Sequence, residues 1–194
     1  MLPTPDWLLE DEAEIARLVE RHPWATFVSP TTNGLVASHY PVLLDPAADG
    51  LTILSHFGRP DEKLHELGRH EILVIVQGPH DYVSPSWYAE GDDIPTWNHV
   101  TAHLYGTPEI MEFEENWATL QRLVRHFESG MDHPREMGDE RRTAKGTVGV
   151  RLRVTRFEAR AKLSQNKTPE VRANIIDHLR DRQPDLAHEM ERYE

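Results

Sequence analysis

The longest apolar runs in this chain, such as Ile72-Leu73-Val74-Ile75-Val76, are only as long as a β-strand. A run of that length, bounded by polar residues, suits a buried strand. It falls far short of the roughly 20 apolar residues that a helix needs to cross a bilayer. Other segments carry the same message. Trp24 to Val28 reads as a strand, Asn33-Gly34 as a hairpin turn, and Leu35 to Leu44 as the returning strand. Leu51 to His56 is a third short strand and Glu71 to Gln77 a buried one. In Asn98 to Gly106, Val100, Ala102 and Leu104 alternate with Thr101, His103 and Tyr105. In Thr147 to Phe157, Val148, Val150, Leu152 and Val154 alternate with polar residues, and this strand is expected to close the sheet structure.

Helices are few and peripheral. Asp11-Glu12-Ala13-Glu14 is a capped start that leads into the stripe Ile15, Leu18 and Val19, which stops before Pro23. Asp61 to Leu67 is expected as a short helix with Leu64 and Leu67 inward and Gly68 at its end. A longer helix carries Phe113, Trp117, Leu120, Val124 and Phe127 at spacings of four and three, which is core packing. The last helix is capped by Thr168, has Pro169 at its first position, and buries Val171, Ile175 and Leu179. Strands outnumber crossover units, so the expected class is mainly β with peripheral helices (α+β), an antiparallel barrel. The length of 194 residues suits a single domain over 1–194, with a C-terminal helix at about 168–183 and a mobile loop over 129–146.

Composition narrows the function. Cysteine is absent, which excludes disulfides, thiolate metal sites and a cysteine nucleophile. The first residues lack the basic and apolar regions of a signal peptide, so the expected location is the cytoplasm. Lys and Arg number 21 against 33 Asp and Glu, a formal charge of −12. A phosphate backbone repels such a surface unless the basic residues cluster, and here they are scattered apart from Arg141-Arg142 and Arg151/Arg153. Direct contact with DNA is therefore disfavoured. Histidine is frequent, at 12 residues, but no zinc-protease spacing occurs and no metal site is expected. Walker, GxGxxG and catalytic-triad patterns are absent too.

Three segments hold the chemistry-bearing residues. Ser55-His56-Phe57-Gly58-Arg59-Pro60-Asp61-Glu62-Lys63 runs from a strand end through a tight turn into a helix start. Backbone N–H groups, a hydroxyl and two cations there can attract an anion, or simply cap a helix. Gln77-Gly78-Pro79-His80 through Trp87-Tyr88, followed by Ile94-Pro95-Thr96-Trp97-Asn98-His99, packs aromatics and polar groups into a loop-rich stretch. Such a stretch can face a planar ring or plug a barrel end. Lys162-Leu163-Ser164-Gln165-Asn166-Lys167 is a polar connector that either caps the following helix or contacts a ligand.

In this order the segments resemble the PaiB-type family of FMN-binding negative transcriptional regulators. The resemblance runs from Pro3 to about Leu179. It is carried by His22-Pro23-Trp24-Ala25-Thr26, Gly34 to Pro41, His56, Gln77 to His80, Ser84 to Tyr88, Pro95-Thr96-Trp97-Asn98, His103 and Lys162-Leu163-Ser164-Gln165-Asn166. Where the family usually has Ala-Arg-Ala-Asn-Pro after the histidine, this chain has Gly58-Arg59-Pro60-Asp61-Glu62-Lys63. The resemblance implies an FMN-binding split β-barrel, a flavoprotein that is a homodimer. It implies that Ser55, His56, Arg59 and Lys63 hold the phosphate, that Thr96, Trp97 and Asn98 meet the isoalloxazine edge, and that Gln165 and Asn166 close the pocket from the partner subunit. Regulation would then run through a small-molecule ligand or a partner, with DNA contact indirect and no membrane involved. The alternative readings are a flavin-dependent oxidoreductase acting on a small molecule, or a haem-binding split-barrel protein. No catalytic residue can be assigned, although His56, His80, His99 and Tyr82 are the available proton donors.

Overall fold

A computed structural model of the chain describes residues 4–88 and 94–193. Pro3, where the resemblance begins, lies outside them. The strands are β1 (Trp24–Thr31), β2 (Gly34–Pro41), β3 (Leu43–Leu44), β4 (Thr52–Gly58), β5 (Ile72–Val83), β6 (Thr96–Gly106), β7 (Glu109–Ile110), β8 (Thr147–Arg153) and β9 (Arg156–Lys162). The α-helices are α1 (Glu12–Arg21), α2 (Arg59–Leu64), α3 (Phe113–Glu128), α4 (Arg141–Ala144), α5 (Pro169–Arg182) and α6 (Pro184–Arg192). Hydrogen bonding orders the strands as β2-β1-β5-β6-β9 in one sheet and β3-β4-β8-β7 in the other. The chain forms two compact units, one of Glu12–Val76 with His103–Phe157, the other of Met1–Asp11, Gln77–Ala102 and Glu158–Glu194.

In the larger unit, α1 buries Ile15, Leu18 and Val19, the stripe its sequence dictates, with Glu12 and Glu14 at its start and Arg21 at its end. That charge order favours the helix dipole. β1 and β2 form a hairpin in register Thr31↔Gly34 to Trp24↔Pro41. Its turn is therefore Thr32-Asn33, one residue earlier than the Asn-Gly pair suggests. The positive φ falls on Gly34, at +112°, as the returning strand begins. After Pro41 the chain leaves this sheet, and Leu43 and Leu44 pair with Leu54 and Ile53 in the other. Where one strand from Leu35 to Leu44 was expected, there are thus two strands in two sheets. Val42 makes the corner, its N–H bonded to Pro23 O at 2.8 Å.

A second corner separates β8 from β9. Thr147 to Phe157 reads as one alternating strand, yet the chain turns at Val154-Thr155, whose N–H groups bond to Leu51 O and Tyr105 O at 2.9 Å. Gly106 is needed nearby, because a Cβ there would lie 2.3 Å from Arg153 O. The core of the unit centres on Phe57, whose ring meets Phe27 edge-on at 5.0 Å and Tyr40 at 4.3 Å. Burying each such side chain stabilises the fold by about 1.5–3 kcal/mol. α3 buries Asn116, Trp117, Thr119, Leu120 and Leu123. Phe127, expected in that stripe, is exposed, because the helix turns it outward in its last turn. Trp117 and Leu120 cluster with Ala144, and Phe113 and Met137 pack on that cluster. α2 starts at Arg59 and ends at Leu64, which is 56% exposed. Leu67 is buried as expected, and the chain between them reverses through Glu66 at φ 48°.

In the smaller unit, β5 continues through Gly78-Pro79 to Val83, a stretch that composition marks as loop-rich. The β6 segment alternates buried and half-buried residues over its whole length from Asn98. α5 is capped as its sequence predicts, with the Thr168 side chain accepting from Val171 N, and it buries Ile175, Ile176 and Leu179. It is not the last helix. Pro184 opens α6, which buries Leu186, Ala187, Glu189 and Met190. Arg172 ties the two together by donating to Met190 O at 2.8 Å and Tyr193 O at 3.2 Å.

Candidate functional site

The predicted phosphate segment lies in the larger unit. β4 pairs with β8 along its length, with His56 opposite Gly149 and Gly58 opposite Thr147, so its end is held firmly. Ser55 is buried and its hydroxyl donates to Pro41 O at 2.7 Å. His56 is half-buried and edge-on to Tyr40, with ring centroids 5.9 Å apart. Its Nδ1 is buried and has no hydrogen-bond partner among the described residues. Burial lowers the His56 pKa, so the ring is neutral at pH 7.

Tyr40 clamps the turn that follows. Its hydroxyl donates to Asp61 Oδ2 at 2.7 Å and accepts from Gly58 N at 3.3 Å. Burial is the main cause that raises the Tyr40 pKa, so the phenol keeps its proton. α2 has only six residues. Its first N–H, from Arg59, bonds to Gly146 O at 3.0 Å, and Pro60 has none. The backbone therefore offers an anion less than the sequence pattern suggests. Cationic side chains remain: Arg59 is exposed, donates through Nε to Lys145 O at 2.8 Å and faces Glu62 at 3.5 Å. Lys63 is exposed in the same turn.

Close by, His65 illustrates a core histidine satisfied on both sides. It is fully buried, with Nδ1 against Ser29 Oγ at 2.8 Å and Nε2 against Ser38 Oγ at 2.9 Å. Burial lowers its pKa, with Asp61 opposing.

The predicted ring-contact and closing residues lie in the smaller unit. Asn98 is fully buried, and its amide pairs with the Ser164 hydroxyl and reaches Met190 Sδ at 3.4 Å. Thr96 Oγ1 accepts from Lys162 Nζ. The two motifs Pro-Thr-Trp-Asn and Lys-Leu-Ser-Gln-Asn are thus brought together by two side-chain links. Gln165 folds back on its own strand, accepting from Leu163 N at 2.7 Å. Asn166 is exposed and lines an open groove of about 540 Å³ with Trp87, Tyr88, Lys167, Thr168 and Val171. Trp87 stacks on His178 at 4.9 Å, and Lys167 Nζ sits 4.4 Å from the Tyr88 ring centroid. Trp97 is 55% exposed, lies edge-on to Tyr82 at 6.1 Å, and is not among the residues lining that groove.

Sequence reasoning missed Trp7 and Arg160. Both Arg160 and Lys162 lie over the Trp7 ring, at 5.2 and 5.1 Å from its centroid. The available signal was the basic pair two positions apart, which shares a strand face once β9 is recognised as a separate strand. Among the described residues, no group of three or more His, Asp or Glu could hold a metal ion. Among the described residues, no helix is long and apolar enough to cross a membrane.

Residues 1–156 match the family model described as "Putative FMN-binding domain". That span includes Ser55 to Lys63 and Thr96 to Asn98 but ends before the Lys162 to Lys167 connector. The chain is 30% identical over 185 residues to "Protease synthase and sporulation protein PAI 2" of Bacillus subtilis, covering 91% of this chain and 88% of that one. Its fold resembles an FAD- and haem-binding protein from Mycobacterium smegmatis at a TM-score of 0.64 and 15% identity, over 86% of this chain and 78% of that chain. It also resembles a flavocytochrome from Azotobacter vinelandii at a TM-score of 0.64 and 13% identity, over 86% and 74% of the two chains. At such identities the likeness is one of fold. The fold is the antiparallel split β-barrel with peripheral helices.

Proposed function

Because the chain belongs to the PaiB-type family of FMN-binding split-barrel proteins, we propose that it is a cytoplasmic, homodimeric FMN protein that acts in negative transcriptional regulation through a small-molecule ligand or a partner. The observation that carries the flavin assignment is His56. A half-buried imidazole whose Nδ1 has no partner among the described residues, near the end of a paired strand and just ahead of the turn that carries Arg59 and Lys63, suits a phosphate better than it suits water. The donor set fits. His56 can donate one N–H, and Arg59 and Lys63 supply charge. The Ser55 hydroxyl, bound to Pro41 O, fixes the strand that presents them. Bound FMN would supply a redox-active ring.

For that ring we assign Thr96, Trp97 and Asn98 to its edge, with Asn98 acting by holding the Ser164 loop in place. Gln165 and Asn166 are assigned to the closing contribution of a second copy of this chain. The net charge of −12 supports regulation at one remove from DNA.

The test is a flavin titration followed by fluorescence, on wild type and on Arg59→Ala with Lys63→Ala. FMN affinity should fall by two orders of magnitude or more, since each charge-assisted contact contributes about 1.5–3 kcal/mol. Riboflavin, which lacks the phosphate, should bind both proteins alike. Unchanged FMN affinity would place the phosphate elsewhere. Light scattering that reports a monomer at micromolar concentration would reject the dimer.

A further inference from the structure

A half-buried cation is unfavourable unless a negative group compensates it. Several cations of the described residues are compensated: Arg59, Arg141, Arg151, Arg156, Arg180 and Arg182 each face a carboxylate. Arg160 and Lys162 differ. Both are half-buried on β9, and their polar partners are hydroxyl groups. Arg160 Nη2 donates to Thr4 Oγ1 at 3.0 Å, and Lys162 Nζ donates to Thr96 Oγ1. Neither meets a carboxylate among the described residues, in a chain with 33 acidic residues against 21 basic ones.

Two further donors are left over at the same place. Arg160 Nε and Trp7 Nε1 are buried without a hydrogen-bond partner among the described residues. Unpartnered buried donors are rare in native proteins and usually mark a missing acceptor. The surrounding field is positive as well. Burial, Arg160 and Lys167 lower the Lys162 pKa, while burial, Arg160, Lys162 and His80 lower that of His99.

We propose that Trp7, Arg160 and Lys162 form a binding site for the oxyanion of a small molecule, a phosphoryl or carboxylate group. One oxyanion has the lone pairs to accept from Arg160 Nε, from the Trp7 indole and from the N–H groups of Lys162 that Thr96 leaves over. It would also neutralise two adjacent charges. The indole supplies an apolar wall, so the ligand carries an organic body beside its charged end. This site is distinct from the residues assigned to the FMN phosphate and stands whether or not flavin binds.

The experiment uses the full-length wild-type protein and inorganic phosphate as the probe. Phosphate is titrated against sodium chloride at matched ionic strength, and the indole N–H resonances are followed by NMR, with Trp7→Phe identifying that of Trp7. The Trp7 resonance should shift saturably, and Lys162→Gln or Arg160→Gln should weaken phosphate binding about tenfold or more. Competition by FMN but not by riboflavin identifies the natural anion as the flavin phosphate. Independence from both flavins identifies a separate molecule. Either result supports the site. A Trp7 resonance that does not move with phosphate in the wild type overturns it, as does equal phosphate affinity in both folded variants.

Discussion

Asn98 and Ser164, 66 positions apart in the chain, hold each other by two hydrogen bonds: Asn98 Nδ2 donates to the Ser164 hydroxyl at 3.0 Å, and that hydroxyl donates to Asn98 Oδ1 at 3.1 Å. Ser164 has φ +58°, the left-handed region that a serine rarely occupies. The buried amide thus offsets backbone strain in the connector and fixes the position of Gln165 and Asn166 after it.

This link makes an ordering of variants. Asn98→Ala leaves the Ser164 hydroxyl buried and unsatisfied beside a strained backbone, and should cost about 2–4 kcal/mol. Ser164→Ala loses the bonds and keeps the strain. Ser164→Gly loses the same bonds but removes a left-handed penalty of about 1–2 kcal/mol. Urea unfolding should therefore rank Ser164→Gly as milder than Ser164→Ala. The reverse order would mean that the conformation of the connector does not depend on this pair.

Histidine burial sets a pH dependence. His56, His65 and His99 all have pKa values lowered in the folded state, each chiefly by burial. The unfolded chain then binds more protons just below the ordinary histidine value of about 6.5. By linkage, stability is fully present above that value and declines as pH falls from it toward the folded pKa values. The urea midpoint should drop between pH 7.5 and 5.5, and His56→Gln should reduce that drop. Glu66 acts in a lower window: its hydrogen bond with Thr32 is the largest cause of its lowered pKa, so its contribution is lost only below the ordinary carboxylate value. A flat midpoint from pH 7.5 to 5.5 would refute the histidine account.

What the sequence revealed follows from the range of its signals. Periodicity located α1, the alternating face of β6 and the Thr168 cap, because each depends on neighbours within a turn or a pleat. Periodicity could not reveal the corners at Val42 and Val154-Thr155, since a strand that changes sheets keeps its alternation on both sides of the bend. Leu64 and Phe127 are exposed where their spacing predicts burial, for a related reason. Each sits at the last turn of a helix, where the direction of the chain, and not the spacing, decides burial. In the site, the residue types of the Pro-Thr-Trp-Asn and Lys-Leu-Ser-Gln-Asn motifs were legible, but not that Thr96 meets Lys162 or that Asn98 is buried. The Trp7 pairing with Arg160 left only the basic pair Arg160 and Lys162 as a signal, because the indole lies far from β9 in sequence.

Ion pairs further weaken any attraction of this chain to DNA. A net charge of −12 already repels a phosphate backbone, and many of the arginines that could oppose it are held by carboxylates, as in Arg151 with Glu115 and Arg182 with Asp81. Few counterions would be released on binding, so affinity should be weak and non-specific. Fluorescence anisotropy with flavin-loaded protein and promoter fragments should show no selective complex at physiological salt. Any binding seen at low salt should collapse between about 50 and 200 mM, where the Debye length falls from about 14 Å to 7 Å. The same sample should change its flavin fluorescence when a small-molecule ligand binds. A sequence-selective complex that survives physiological salt would mean that regulation is by direct repression. Steady turnover with a reduced nicotinamide would instead make the protein an oxidoreductase.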